Sequence, residues 1–406
     1  MASTFQYKVR DREGRVLQGS LEADNHELVV NKLRQMGYTP INVERQDLSA
    51  LKKDLTIPGF GARVGLKDVA IFSRQFATMI NSGLSLLRAL NILGDQTENP
   101  ALAKILTQVR MDVEKGTSLS QALARHPKAF NRLYIAMVRA GEIGGMLDSV
   151  LLQLASTIEK QVELRRKIVS AMTYPVAVLM LVLLIVTAML IFVVPTFEGL
   201  YADLDSPLPA PTKLLLTVSS FMTTFAPLII LAVVGLVFLF KRWIASDKGR
   251  AIWDAFKLRV PIFGKLVRKT ALTRFSRTLA SLLSAGVPIL EALEITAETV
   301  GNAVVAKAVR EVQVGVRQGE SMARPLSQHA VFPPMVVQML AVGEETGAVD
   351  TMLEKVADFY DQEIEALVDA LTSLLEPLLI VVLGGVVGGM VVSLYLPMFN
   401  IINLIE

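Results

Sequence analysis

The sequence predicts a mainly α-helical chain: two duplicated cytoplasmic helical bundles, three transmembrane helices and a small α/β module at the N-terminus. Three observations predict it. Stretches free of Asp, Glu, Lys and Arg, each longer than a bilayer helix needs, occur three times. The second half of the chain repeats the first in register, and strand-like alternation is confined to the beginning. The composition agrees, at 52% hydrophobic residues with a mean hydropathy of +0.47, more apolar than an ordinary soluble chain.

The N-terminal module covers 1–46. FQYKVRDREGRVLQGSLEA alternates like a hairpin with Glu13-Gly14 in its turn, DNHELVVNKLRQMGY reads as a capped helix ending at Gly37, and TPINVE as a returning strand. The opening MASTFQYKVRDREG has no apolar core, so no cleavable secretory signal is expected and the N-terminus is expected in the cytoplasm. A polar linker, 47–65, carries Pro58, Gly59 and Gly61.

The first helical repeat is expected at 66–167 and the second at 269–372. Phe72-Ser73-Arg74 aligns with Phe275-Ser276-Arg277, an offset of 203, and Gly83, Asn99, Gly116, Ser118 and His126 meet Gly286, Asn302, Gly319, Ser321 and His329. One residue then drops out. At an offset of 202, Phe130, Gly141-Glu142 and Asp148 meet Phe332, Gly343-Glu344 and Asp350. Such a match marks a duplication. Apolar positions recur at three- and four-residue spacing, Gly83 and Gly116 stand where a helix-ending glycine belongs, and Asn99-Pro100 pairs a capping side chain with a proline at the first helical position. About six helices per repeat are expected, the last running into the bilayer.

The uncharged stretches are Ile168–Phe197, Leu214–Phe240 and Pro377–Ile405, of 30, 27 and 29 residues. Transmembrane helices are accordingly placed at 168–197, 214–240 and 373–399. An external loop falls at 198–213, a basic connector at 241–268 and an external tail at 400–406. From Lys241 to Arg277 there are eleven Lys or Arg against two Asp, whereas Glu198–Thr212 has three acids and no Lys or Arg. The basic flank therefore belongs inside, with the N-terminus in and the C-terminus out. Pro175 and Pro377 fall at matching membrane entries, where each is expected to kink its helix. In the third span Gly384/Gly388 and Gly385/Gly389 form overlapping GxxxG pairs, a helix-packing face.

Several chemistries find no footing. The absence of cysteine excludes disulfides, thiol nucleophiles and cysteine-ligated zinc. No phosphate-binding G-x-x-x-x-G-K-[ST] loop occurs, since GFGARVGLK has the wrong spacing, and HExxH and G-x-S-x-G are also missing. No catalytic residue or cofactor site is therefore assigned, and any nucleotide-driven work would fall to a partner. The spans lack a central ionisable residue of the kind an ion-coupled transporter uses. The basic run abuts a span, so topology and lipid headgroups explain it better than nucleic acid does. His126 and His329, at equivalent places, suggest a local hydrogen-bonding role.

The candidate site is the motif written twice, MVRAGEIGGMLDSV at 137–150 and MLAVGEETGAVDTM at 339–352. Gly141, Glu142, Gly145 and Asp148 recur as Gly343, Glu344, Gly347 and Asp350. Three readings remain open. In a structural corner the glycines permit the turn, and the Asp favours the dipole of the next helix. In a divalent-cation site Glu142 and Asp148, or Glu344 and Asp350, would converge across it. In the third reading the corner docks a partner.

KIVSAMTYPVAVLM at 167–180, RFSRTLASLLSAGVPILEAL at 274–293 and LEPLLIVVLGGVVGGMVVSLYLPMF at 375–399, together with the duplicated F-S-R and GE-x-x-G-x-x-D, resemble the GspF/PilC family. These are polytopic inner-membrane platform proteins of type II secretion and type IV pilus machines. RQFATMINSGLSLLRALNIL and the ENP at 98–100 look most like the pilus branch. The resemblance implies a non-enzymatic hub in the bacterial inner membrane. Its implied partners are a cytoplasmic hexameric ATPase, pilin subunits and other inner-membrane pilus components, and its implied state is a homo-oligomer.

Overall fold

A computed structural model describes residues 3–10, 16–23, 26–45, 63–196, 210–261 and 263–405. The Glu13-Gly14 turn, most of the linker and most of the external loop lie outside the described residues. The chain divides into two units, Met1–Arg63 and Val64–Glu406.

In the first unit β1 (Ser3–Arg10) pairs antiparallel with both β2 (Val16–Ala23) and β3 (Thr39–Arg45), giving the order β2-β1-β3. One helix, α1 (His26–Gln35), joins β2 to β3. Val29 and Leu33, one turn apart on α1, are buried with Val9 of β1 in a small core. Gly37 follows the helix at φ 83°, as its predicted place after the last turn requires.

The second unit contains two six-helix repeats, as the periodicity predicts. The first has α2 (Leu66–Asn81), α3 (Leu86–Gln96), α4 (Pro100–Glu114), α5 (Leu119–Ala124), α6 (Arg132–Gly144) and α7 (Leu147–Ala188). Asn99 caps α4 by accepting from Ala101 N and Leu102 N, and Pro100 takes the first helical position. Ser118 Oγ accepts from Gln121 N at the start of α5. Phe72, Phe130 and Tyr134 pack their rings together, with centroids 5.8 Å and 4.8 Å apart.

Between the repeats run α8 (Ala210–Thr224), α9 (Ala226–Ala245) and α10 (Asp247–Arg259). The second repeat comprises α11 (Phe263–Ser284), α12 (Ile289–Thr299), α13 (Ala303–Arg317), α14 (Ala323–Ser327), α15 (Pro334–Thr346) and α16 (Val349–Ile405). Asn302 repeats the cap of Asn99, on Val304 N and Val305 N. Both repeats share one hydrophobic core, which includes Phe76, Leu106, Phe275 and Leu340.

Three helical segments are long and apolar enough to cross a membrane: Leu147–Thr196, Ala226–Ala245 and Val349–Ser393. Their apolar side chains point outward, with Phe192 72% exposed, Leu236 69% and Val381 70%. Water would penalise that surface and lipid would not. The last bundle helix and the span are one element in both repeats. At 1.5 Å per residue, the 42 residues of α7 reach about 63 Å and the 57 of α16 about 85 Å. The helix α16 also includes 400–405, assigned above to a tail.

The second uncharged stretch is divided rather than continuous. Pro227 has no N–H to offer the carbonyl of Thr223, and the chain pauses at Phe225 (φ −101°, ψ 11°) between α8 and α9. The basic connector is largely helical, formed by the end of α9, by α10 and by the first turns of α11. At its far end α7 loosens into a π turn, Met189–Val193. There Ser219 of α8 donates to the Leu190 carbonyl and Thr212 donates to Ser393 O at 2.5 Å, tying α8 to the ends of the first and third spans.

Candidate functional site

The repeated motif folds as the corner between α6 and α7, and again between α15 and α16. Gly145 stands at φ 66° and Gly347 at φ 71°, a left-handed conformation that glycine adopts without steric cost. In each corner Met146 N or Ala348 N reaches back to the carbonyl of Gly141 or Gly343, at 3.0 Å and 2.9 Å. The first glycine of the motif serves a different purpose. A Cβ at Gly141 would stand 3.1 Å from Val150 Cβ and 3.2 Å from Leu147 Cα, and one at Gly343 would stand 2.9 Å from Val349 Cα. These glycines let the long helix cross the preceding one at backbone distance. Asp148 and Asp350 lie in the first turn of the long helices, where the helix dipole favours an acid.

The glutamates face inward. Glu142 accepts from Leu119 N at 2.5 Å, Ser120 N at 3.1 Å and Ser120 Oγ at 2.5 Å. Glu344 accepts from Met322 N at 2.5 Å and Ala323 N at 3.2 Å. Each carboxylate thus satisfies free backbone donors at the start of the short fourth helix of its own repeat, where the partial positive charge of a helix end adds to the attraction. A carboxylate set against N–H donors has the opposite surroundings to one that ligates a cation. Among the described residues, no group of three or more His, Cys, Asp or Glu is placed to hold a metal ion. The exposed rim differs between copies: Ile143 is 79% and Met146 50% exposed in the first corner, where the second has Glu345 and Ala348.

The F-S-R motif, which marks the repeat in the sequence, has a role the sequence reading did not assign. Arg74 pairs through Nε and Nη2 with Glu159 on α7, and Arg277 pairs with Asp361 on α16. The two acids are equivalent under the repeat offset of 202, so each repeat clamps its last, long helix to its first helix by the same pair. The hydrogen bond and charge of Glu159 raise the pKa of Arg74. The serine has diverged. Ser73 Oγ bonds the buried Tyr134 hydroxyl at 3.2 Å, and burial pushes that phenol's pKa up. In the second repeat Val336 replaces the tyrosine, which leaves Ser276 Oγ buried with no hydrogen-bond partner.

The two long helices are joined by a charged seam just before they become apolar. Lys160 of α7 meets Asp358 of α16 at 2.9 Å, Lys167 meets Glu365, and Arg277 also reaches Asp358 at 3.2 Å. Arg277 is only 7% exposed at its side chain, so it lies at the centre of this seam. Thr157 and Ser281 hydroxyls lie 3.0 Å apart, Gln153 donates to Ser284 at 2.9 Å, and Arg132 of α6 pairs with Glu298 of α12. These bonds, with the shared core, make one body of the two bundles.

The remaining sequence candidates have mixed surroundings. His329 Nε2 lies 2.9 Å from Glu311, and the His329 carbonyl accepts from Phe332 N. His126 accepts equivalently from Phe130 N through its own carbonyl. Burial, with Arg125, lowers the His126 pKa against the opposing charge of Asp112. The helices continue through Pro175, which is buried, and through Pro377, which is exposed. Gly384, Gly385, Gly388 and Gly389 form a bare face: a Cβ at any of them would meet nothing within 4 Å.

Comparison with known proteins agrees with this architecture. The family model described as type II secretion system protein F matches twice, at residues 72–195 and 275–397, and the model of that protein's N-terminal domain matches 1–44. A type IV pilus assembly protein PilC of Thermus thermophilus is 47% identical over 400 residues, covering 98% of each chain. A protein of the same name from Myxococcus xanthus is 42% identical over 402 residues, covering 99% of this chain and 96% of its own. A type II secretion system protein F of Pseudomonas aeruginosa is 35% identical over 406 residues, covering 99% and 100%. The two matched segments coincide with the two helical repeats, each from its F-S-R helix to the end of its span, and the chain belongs to the type II secretion system protein F family.

Proposed function

We propose that this chain is the inner-membrane platform of a type IV pilus machine, a non-enzymatic part that couples a cytoplasmic ATPase to the insertion or extraction of pilin. The observation that carries the proposal is the fusion of bundle and span. In both repeats one helix leaves the bundle and runs on into the apolar stretch, and the seam of ion pairs ties the two helices together before they enter it. A push on either bundle is then transmitted as movement of α7 and α16 together, with no flexible joint between. The identities of 47% and 42% to proteins named for pilus assembly, against 35% to one named for secretion, support the pilus branch over the secretion branch.

In this reading both bundles and the N-terminal module face the cytoplasm and the C-terminus faces outward, an orientation that the basic residues from Lys241 to Arg277 support. The ATPase docks on the corners through their exposed rim, while Glu142 and Glu344 hold the corner's shape from inside. Pro175 and Pro377 bend the long helices at the bilayer surface. The bare glycine face of Gly384, Gly385, Gly388 and Gly389 packs against another membrane helix, in a pilus component or a second copy of this chain. Detergent-extracted protein should co-purify with its cognate ATPase and with pilin. Recovery of neither partner, together with normal pilus assembly in cells lacking this chain, would refute the proposal.

A further inference from the structure

Where α7 begins its uncharged stretch, a cavity of about 100 Å³ lies between α7, α11 and α16. Four cations line it, Lys160, Arg165, Arg274 and Arg277, against the single acid Asp361. Two of the four are neutralised within the seam: Lys160 by Asp358, and Arg277 by Asp358 and Asp361. Arg165 and Arg274 have no carboxylate partner among the described residues. Both side chains keep exposed surface, and partial burial together with the nearby Arg165 cation lowers the pKa of Arg274.

The polar atoms around these cations are also incomplete. Thr273 lines the cavity at 3% exposure, and its Oγ1 has no hydrogen-bond partner. The Oδ1 of Asp361 is buried and unpartnered as well. A buried polar group left so costs free energy that a bound partner restores. An anion would meet the two guanidinium groups, which favour phosphate geometry. A hydroxyl on the same ligand would donate to Asp361 Oδ1, which a bare phosphate dianion does not do. The rest of the wall is apolar. Ile168 and Val169 line the cavity and open the 30-residue uncharged stretch, and Val169 is 57% exposed. The first repeat has no counterpart, since Ile71 stands at the place of Arg274.

We propose that this cavity binds the headgroup of an anionic glycerophospholipid, with its phosphate on Arg165 and Arg274, its hydroxyl on Asp361 and its chains lying along Val169 into the bilayer. The inference rests on reading α7 as a membrane span, but not on any role in pilus assembly. Basic pockets beside spans at the cytoplasmic face hold such headgroups. A lipid there would cap the ion-pair seam at the level where the two long helices enter the membrane.

The test is native mass spectrometry of the full chain in detergent, titrated separately with phosphatidylglycerol, phosphatidylcholine and soluble glycerol 1-phosphate. One phosphatidylglycerol should be retained in preference to phosphatidylcholine. Arg274→Gln should weaken that binding about tenfold or more. Lys248→Gln, an equal loss of charge on α10 away from the cavity, should leave it unchanged. Arg274→Ile, which installs the residue of the first repeat, should lose the lipid while keeping the melting temperature of lipid-free protein. Equal retention of both lipids overturns the proposal, as does equal loss in Arg274→Gln and Lys248→Gln. Displacement by glycerol 1-phosphate at equal concentration would overturn the lipid source in favour of a soluble phosphate. The assay reads lipid alone, so its outcome is independent of whether the platform reading holds.

Discussion

Replacing Glu142 with alanine separates a corner held from inside from a corner that binds through its acid. The side chain accepts two backbone N–H bonds and one hydroxyl bond at the start of α5. Hydrogen bonds to a charged group contribute roughly 1.5–3 kcal/mol each when made in full. The glutamate is half-buried, so water replaces part of the loss. Ser118 continues to cap Gln121 N. A net loss of about 2 kcal/mol in the local stability of α5 follows, close to the upper end of what a helix cap contributes. Since about 1.4 kcal/mol is a factor of ten, amide exchange across 119–124 should accelerate about 30-fold. Hydrogen–deuterium exchange on the full chain in detergent measures this by peptide, with α14 of the same molecule as internal control. Glu344→Ala should reverse the pattern, speeding exchange across Ala323–Ser327 and sparing α5. Unchanged protection of α5 in Glu142→Ala, with partner binding lost, would refute the cap and restore the acid as a docking group.

Four further outcomes follow from other contacts. Arg277→Met removes a nearly buried guanidinium from two partly exposed carboxylates and should cost about 2 kcal/mol, less than a fully buried pair. Arg74→Met at the equivalent, more exposed pair should cost at most about 1 kcal/mol. Thermal unfolding of the two variants in one detergent compares them. Gly343→Ala places a Cβ 2.9 Å from the Val349 backbone and should destabilise by about 1–3 kcal/mol, lowering the melting temperature. His126 has a folded-state pKa below its ordinary 6.5, so the unfolded chain binds its proton more readily. Its contribution to stability is present above about pH 6.5 and is lost as pH falls through that range. His126→Asn should reduce the drop in melting temperature between pH 7.5 and pH 5.5.

The sequence made most of the architecture legible because its signals are local or repeated. Asn99 and Ser118 cap the helices they precede, and Gly83 and Gly116 take positive φ at 83° and 92° where the pattern ends. The duplication carried these readings into the second repeat, where Asn302 and Gly319 behave alike. Readings that depend on distant partners were not available in this way. Glu142 meets donors 22 and 23 residues earlier, and the partner of Arg74 is 85 residues away. Spacing identifies the acid but not the direction of its side chain. The break at Phe225 was local, since Pro227 announces it, but the unbroken lack of charge from Leu214 to Phe240 masked it. The empty polar atoms around Arg274 arise from three helices meeting, a feature no single stretch of sequence contains.

The platform account is tested most directly by photocrosslinking in living cells from two positions on the full chain. A photoreactive residue at Ile143, 79% exposed on the first corner, should capture the cytoplasmic ATPase. One at Val381, 70% exposed on the third span, should capture pilin. Capture of both partners at their respective sites is the predicted result. Capture of neither, in cells that assemble pili normally, would contradict it.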